Sequence, residues 1–219
     1  MNSGTSAAAA PAGSGRRRRV PRGEIQRRLI LDTFDALLEE MSSFEITVKD
    51  ITDAAGIKRP NFYFYFESKD EVLAELVGEA WVAWDAAIGS YHRHAGESHS
   101  DYFDRLFRVS HTFWVERGRA LVAGIRAIGH DATLRARWKA LDDELYAQLA
   151  AQMKRDAEAG LITPASDDHL RLTETLTDMI TYAFYKDRRL QCSAEESARM
   201  LDSLKAIWVG AWGATGRPE

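Results

Sequence analysis

The stretch from Thr47 to Phe66 constrains the fold more than any other part of the sequence. Thr47 and Asp50, three residues apart, have the form of a capping box, in which the hydroxyl accepts from the third helical amide and the carboxylate reaches back to the cap's own N–H. Gly56 ends the same helix after only two turns, because glycine takes the left-handed backbone of a helix terminus without steric cost. Val48, Ile51, Ala54 and Ala55 are read as the inward face of this helix, and Ile57 as an apolar plug in the turn after it. A second short helix is predicted over 58–65. Pro60 is tolerated there, since the first helical turn has no amide partners to lose. The aromatic run Phe62-Tyr63-Phe64-Tyr65-Phe66 has the composition of a strand. Pro60 before it, and a second capping box of Ser68 with Glu71 after it, leave little room for a sheet partner.

Helical periodicity fills the remainder. A first helix is expected over 24–41, with Ile30, Phe34, Leu37, Leu38 and Met41 on one face. A long helix comes after Ser68 over 69–92, then a polar loop over 93–100. Further helices are expected over 101–117, 119–129 and 131–159, the last closed by Gly160 with Pro164 beyond. Ser166 is read as the cap of a helix running to Lys186, and Ser193 with Glu196 as the cap of one running to Trp212. The expectation is an all-α chain of about nine helices, three short and six mostly longer, with no convincing strand and no internal repeat.

With 219 residues and 45% hydrophobic content, the chain can bury a sizeable core. Cys192 is the single cysteine, which excludes an intramolecular disulfide and a cysteine-based zinc site and suits a reducing cytoplasm. No apolar run approaches the ~18–20 residues of a membrane span, and the basic cluster near the N-terminus is in the wrong order for a signal peptide. The formal net charge of −4 does not suggest a nucleic-acid binder, but its distribution is uneven. Residues 1–23 carry five arginines (Arg16, Arg17, Arg18, Arg19 and Arg22) and no acid, so the acidic balance lies in the rest of the chain. Such a low-complexity arm is expected to be disordered. It suits phosphates or an anionic surface, and serves equally as a solvated tail.

A supporting helix followed by two short helices around Ala55-Gly56-Ile57 is a helix-turn-helix arrangement, whose second helix fits the major groove of duplex DNA. The outward set of that helix is read as Lys58, Arg59, Asn61, Tyr63 and Tyr65, donors suited to base edges and phosphates, with Phe62 and Phe66 anchoring it from within.

The stretch 47–73 also resembles the signature of the TetR family of regulators. The resemblance lies in Val48-Lys49-Asp50-Ile51 opening the second helix, Ala54-Ala55-Gly56-Ile57 at the turn, the Tyr63…Phe66 pair, and Ser68-Lys69-Asp70-Glu71-Val72-Leu73. It implies a non-enzymatic all-α homodimer that binds double-stranded operator DNA, with a variable ligand-binding domain. It places Thr47, Tyr63 and Lys69 at phosphate contacts, and Lys58, Arg59, Pro60 and Asn61 where base contacts vary. Pro60 and Asn61 depart from the small residues usual there. Arg59 to Phe66 and Ile207-Trp208-Val209 are similar to the EthR-like, ethionamide-activation repressor subfamily. The implied domains are a basic arm over 1–23, a helix-turn-helix domain over 24–70, a ligand-binding and dimerisation domain over 71–213 and a tail over 214–219.

Beyond residue 100 the chain is rich in large rings, and such side chains either fill an ordinary core or line an apolar pocket. Under the family geometry, Phe107, His111, Trp114, Trp138, Leu141, Leu145, Tyr146, Asp178, Tyr182 and Trp208 are the expected walls, with His111, Asp178 and Tyr182 as orienting polar groups. Few cations occupy these positions, so the expected ligand is small, largely apolar and neutral, and no cofactor is expected. Leu172, Leu176, Met179, Ile180 and Ala183, with Leu201, Leu204, Trp208 and Ala211, form stripes for a four-helix dimer interface. Trp208 is thus claimed by both pocket and interface. The rival classes are an enzyme and a ligand-independent DNA-binding protein. No glycine-rich phosphate loop, nucleophile elbow or distinctive carboxylate pair supports the first. His92, His94 and His99 sit in a polar loop without a cysteine, so no metal is assigned. The large aromatic domain argues against the second rival.

Overall fold

The computed structural model describes residues 21–88 and 91–214. Most of the arm expected over 1–23, the end of the helix expected to reach 92, and the last five residues lie wholly or partly outside them. Among the described residues there are eight α-helices and no strand: α1 (Arg22–Leu37), α2 (Val48–Ala55), α3 (Arg59–Tyr65), α4 (Lys69–Ile88), α5 (His99–Ala127), α6 (Ala132–Glu158), α7 (His169–Arg189) and α8 (Ala194–Trp212). None is long and apolar enough to cross a membrane.

Eight helices stand where nine were expected because 99–127 is one helix rather than two. Gly118 is not a breaker but a contact point. A Cβ added there would lie 2.9 Å from Cγ of Arg188, so the absent side chain lets α7 pack close to α5. Two other boundaries move for local reasons. Arg22 and Gly23 belong to α1 rather than to the arm, with Pro21 just before the first turn. Asp168, not Ser166, caps α7, accepting from the Arg171 amide, while Ser166 accepts from the amide of Asp168. The capping boxes at Thr47/Asp50 and Ser193/Glu196 are complete, while at Ser68 the hydroxyl accepts from the Glu71 amide and the Glu71 carboxylate accepts from the amide of Glu67.

α1 buries Ile30, Leu31 and Phe34 against α2 and α4. Carboxylates on α4 meet its outer face: Arg27 pairs with Glu75, and Arg28 with Glu79 at 2.7 Å. Arg119 of α5 reaches Asp35 of α1 at 2.7 Å. α4 packs along α5, which is also covered by α7 and α8, so α5 is the central helix. The last turn of α8 is fixed by the α6–α7 connection. The Ala165 amide donates to the carbonyl of Ala211 at 2.8 Å, and Gly213, with φ of 64°, leaves room for the Thr163 carbonyl.

Candidate nucleic-acid interface and aromatic cavity

Gly56 adopts φ 64° and ψ 32°, and the Ile57 amide closes the turn on the carbonyl of Thr52 at 3.0 Å. α2 buries Ile51 and Thr52 rather than Ala54, which is exposed. Residues 48, 51, 52 and 55 share the stripe that a period of 3.6 turns toward α1. α3 is anchored by Phe62 and Phe66, both buried and 6.1 Å apart. This leaves Lys58, Arg59, Pro60, Asn61 and Tyr63 exposed on one short element. Tyr65 is half-buried and turned back toward Gly23. Phe64 is 79% exposed in its place. It stands three residues after Asn61 on the same outward face, a spacing that would have marked it in the sequence.

Two of the residues expected at phosphates have other partners here. The Thr47 hydroxyl accepts from the Asp50 amide at 3.2 Å and donates to its carboxylate at 2.6 Å, which holds that carboxyl below its usual range. Lys69 Nζ donates to the carbonyls of Ser43 (2.7 Å), Phe44 (3.0 Å) and Ile46 (2.7 Å), tying the start of α4 to the α1–α2 loop.

Further along, a cavity of about 70 Å³ lies between α4, α5, α6, α7 and α8. Of the expected walls, Phe107, Trp114, Trp138, Leu145 and Trp208 line it. Leu141, His111, Tyr146, Asp178 and Tyr182 do not. Leu141 faces a groove between α4 and α6. His111 packs on Phe184 behind the wall, 3.6 Å from Asp187, and burial lowers its pKa. Tyr146 donates to Asp178 at 2.6 Å on the outer side, and Tyr182 is 66% exposed. The polar groups that do line the cavity are Ser110, Asp142, Thr177 and Thr181, which sequence reasoning misses.

The miss is a rotation of about one residue on each helix. On α6 the inner row is Trp138, Asp142, Leu145 and Leu149, spaced i, i+4, i+7, i+11; on α7 it is Thr177, Ile180, Thr181 and Phe184. α4, from which no cavity wall was expected, supplies Trp81 and Trp84. Trp84 donates to the Tyr91 hydroxyl at 2.5 Å, and Trp81 packs edge-on to Trp138 at 5.2 Å. The groove between α4 and α6 has a volume of about 580 Å³ and shares Trp81, Trp84, Tyr91, Trp138 and Leu145 with the cavity. The cavity alone is smaller than a typical ligand site of ~300–1,000 Å³, and an occupant would extend through those shared walls.

Trp208 lines the cavity and is 1% exposed, and Leu176, Ile180 and Leu204 are buried within the chain. These residues therefore belong to the core rather than to an interface stripe. The apolar side chains of α7 and α8 left at the surface are Leu170, Tyr182 and Ile207. The loop histidines are held by a polar network. His99 meets Asp156 at 3.1 Å, and His92 meets Arg155 at 2.8 Å. His94 lies 4.0 Å from Glu97, which Arg105 grips and holds down at about 2.

Residues 30–76 match the family model described as bacterial regulatory proteins, tetR family. The HTH-type transcriptional regulator EthR of Mycobacterium tuberculosis is 27% identical over 196 residues, covering 89% of this chain and 90% of that protein. EthR of Mycolicibacterium smegmatis is 48% identical over 63 residues, 29% of each chain. Among solved structures, the TetR family regulator PfmR from Thermus thermophilus is similar with a TM-score of 0.67 at 20% identity, over 86% of this chain and 99% of that one. Salmonella enterica GusR has the same TM-score at 15% identity, over 89% and 99%. The family, the EthR proteins and PfmR are transcription regulators rather than enzymes, and the likeness to the solved structures extends the fold over both the helix-turn-helix and the aromatic bundle. With its capped two-turn helix, its turn at Gly56 and its exposed third helix all inside the matched stretch, residues 30–76 have the form of a tetR-family helix-turn-helix, and the chain as a whole is similar to TetR-family transcription regulators.

Proposed function

We propose that the chain acts as a homodimeric repressor that leaves its operator when a small, largely apolar molecule occupies the aromatic cavity. The observation that carries this reading is that one helix belongs to both places. Lys69, at the start of α4, is bonded to the loop before the reader, and Trp81 and Trp84, three to four turns on, are cavity walls. An occupant that displaces these indoles moves a helix to which α1 is ion-paired through Glu75 and Glu79. Coupling of this kind is typically ~1–3 kcal/mol, or roughly 5–150-fold in DNA affinity.

In this reading 24–70 is the reader and 71–213 the sensor and dimerisation unit. Lys58, Arg59, Asn61, Tyr63 and Phe64 meet the duplex; Arg and Asn suit guanine and adenine edges, and Phe suits a thymine methyl. Lys69 and Thr47 approach phosphate through the backbone of their helix starts, since their side chains already have partners. The surface of Leu170, Tyr182 and Ile207 is covered by a second copy, which sets two readers about one helical turn (~34–36 Å) apart.

The test is a gel-shift of the full chain on the intergenic DNA upstream of its own gene, beside Tyr63→Ala. Specific binding abolished in the variant, and released by a cavity-binding compound, is the expected result. Equal binding by wild type and variant to specific and random duplexes would refute the reader. Specific binding that no cavity-binding compound releases would refute the switch.

A further inference from the structure

Three polar atoms on the cavity lining lack a hydrogen-bond partner: the indole N–H groups of Trp81 and Trp208 and the hydroxyl of Thr177. Trp208 is 1% exposed and Thr177 6%. Buried polar atoms in a folded protein are almost always satisfied, so these mark a lining open to an occupant rather than a sealed core. Asp142 is the only acid on the same lining, in a wall otherwise built largely of rings and aliphatic side chains.

The surroundings of Asp142 decide which charge it would accept. From its own helix, Trp138 offers it a hydrogen bond and Asp143 repels it. Lys139, one turn away, is bonded to Asp143 at 2.6 Å instead. From α7, Asp178 adds a second negative charge, itself bonded to the Tyr146 hydroxyl. The linings from α4, α5 and α8 bring no charged side chain, and no Lys, Arg or His forms an ion pair with Asp142 among the described residues. Burial, with the two neighbouring carboxylates, pushes the Asp142 carboxyl up to about 7. A carboxyl in that condition is held back from ionising by the absence of a counter-charge. Trp81, Trp84 and Trp138 line the same cavity, and the face of an indole attracts a cation and disfavours an anion.

We propose that the effector is a lipophilic amine or quaternary ammonium, whose cationic nitrogen sits against Asp142 among the indoles of Trp81 and Trp138 while its hydrocarbon part fills the apolar remainder. This rests on the reading of the cavity as the effector site. It departs from the neutral ligand expected from the sequence, because the acid on the lining is Asp142 rather than Asp178, whose carboxylate is already bonded on the outer side. A bound cation takes the ionised carboxylate, so binding displaces the proton held on Asp142 at lower pH.

Three probes of one chain length separate the possibilities: decylamine, decanol and decanoate, titrated against the full chain with tryptophan fluorescence and melting temperature as readouts. Decylamine is expected to bind about tenfold more tightly than decanol, and decanoate more weakly than decanol. The decylamine advantage should grow from pH 6 to pH 8. In Asp142→Asn that advantage should vanish while decanol affinity stays as in wild type, which also shows that the variant keeps its cavity. Decanol equal to or tighter than decylamine, or a preference that survives Asp142→Asn, would overturn the cation while leaving the cavity as an effector site. No binding by any of the three would overturn both.

Discussion

Gly124→Ala tests the packing between α4 and α5 where the cavity meets α4. A Cβ at this position would lie 2.7 Å from Cγ2 of Val77 and 3.2 Å from Cζ3 of Trp138. Ordinary contact begins near 3.4 Å, so the two helices would have to separate by roughly half an ångström or more. Alanine in a helix interior is better than glycine by about 1 kcal/mol, and overpacking of a close-packed core costs about 1–3 kcal/mol. The net effect is a loss of up to about 2 kcal/mol, which in a chain of this size lowers the melting temperature by up to ~8 °C. The sign should reverse in a Val77→Ala background. Val77 is 2% exposed, so its truncation is itself destabilising, but it removes both methyl carbons within 4 Å of the new Cβ. Only the edge of Trp138 remains in the way, and Gly124→Ala should then be neutral or favourable by up to about 1 kcal/mol. Urea unfolding of the four proteins at one concentration gives the cycle, with an expected coupling of ~1–3 kcal/mol. A Gly124→Ala cost that is the same in both backgrounds would refute the reasoning, since it would mean that the clash with Val77 is not what glycine avoids.

Gly213→Ala should be more damaging, by roughly 2–5 kcal/mol in urea unfolding, because φ of 64° disfavours a side chain and the Cβ would fall 1.8 Å from the Thr163 carbonyl oxygen; a melting point unchanged from wild type would show that the α6–α7 connection moves aside freely. Lys69→Ala removes three charge-assisted hydrogen bonds to Ser43, Phe44 and Ile46 and should destabilise by about 1.5–3 kcal/mol, while Tyr63→Ala, at an exposed site, should leave the melting point within about 1 °C; equal stability of the two variants would return Lys69 to a purely DNA-contacting role. The acid-side stability of the fold should fall as pH drops from about 4.5 toward 2, because the Arg105 guanidinium holds Glu97 at about 2 and that contribution is complete only above the unfolded carboxylate value. Asp142 acts with the opposite sign: its folded carboxyl is raised to about 7, so wild-type stability should decline as pH rises from about 4 to 7, and melting curves of Asp142→Asn should lack that decline.

The features legible in the sequence are those decided within a few residues. A Thr with an Asp three positions on, or a Ser with a Glu, satisfies helix-end donors locally, and both boxes formed. Gly56 was legible for the same reason, since its left-handed turn is a property of its own backbone. Gly118 was not, because its role depends on Arg188 seventy residues away, and nothing local separates a packing glycine from a breaking one. The cavity lining lies between these cases. The rings that belong to it were found from size alone, but the polar set was misplaced because the rotation of a helix about its axis is set by what it packs on. Tyr146 and Asp178 bond to each other on the outer side of α6 and α7, and that turns Asp142 and Thr177 inward. An acid in the row Trp138, Asp142, Leu145, Leu149 is the signal that would have exposed the correct face.

In the proposed switch, ion pairs and packing are what would link an occupant of the cavity to the reader. α1 has two arginines on α4, at Glu75 and Glu79, and α5 has one on α1, at Asp35. These pairs are partly exposed, and each contributes little to stability on its own. Their geometric effect is different: together with Lys69 at the start of α4 they join α1 and the α1–α2 loop to α4 as far as Glu79. Beyond Glu79, α4 has no ion pair to another helix among the described residues and is held by packing on α5, where Trp84 lies 5.2 Å from Phe113. Across the groove it faces α6 through Trp81 and Trp138, and the two helices are held apart by ring contacts and open volume rather than by close backbone packing. In the proposed switch, a displacement at Trp81 would pass along α4 to the part that is joined to α1. The reader is joined to that part through the core: Phe62 and Phe66 are buried in the same core as α1, and Arg27 lies 4.9 Å over the Phe66 ring.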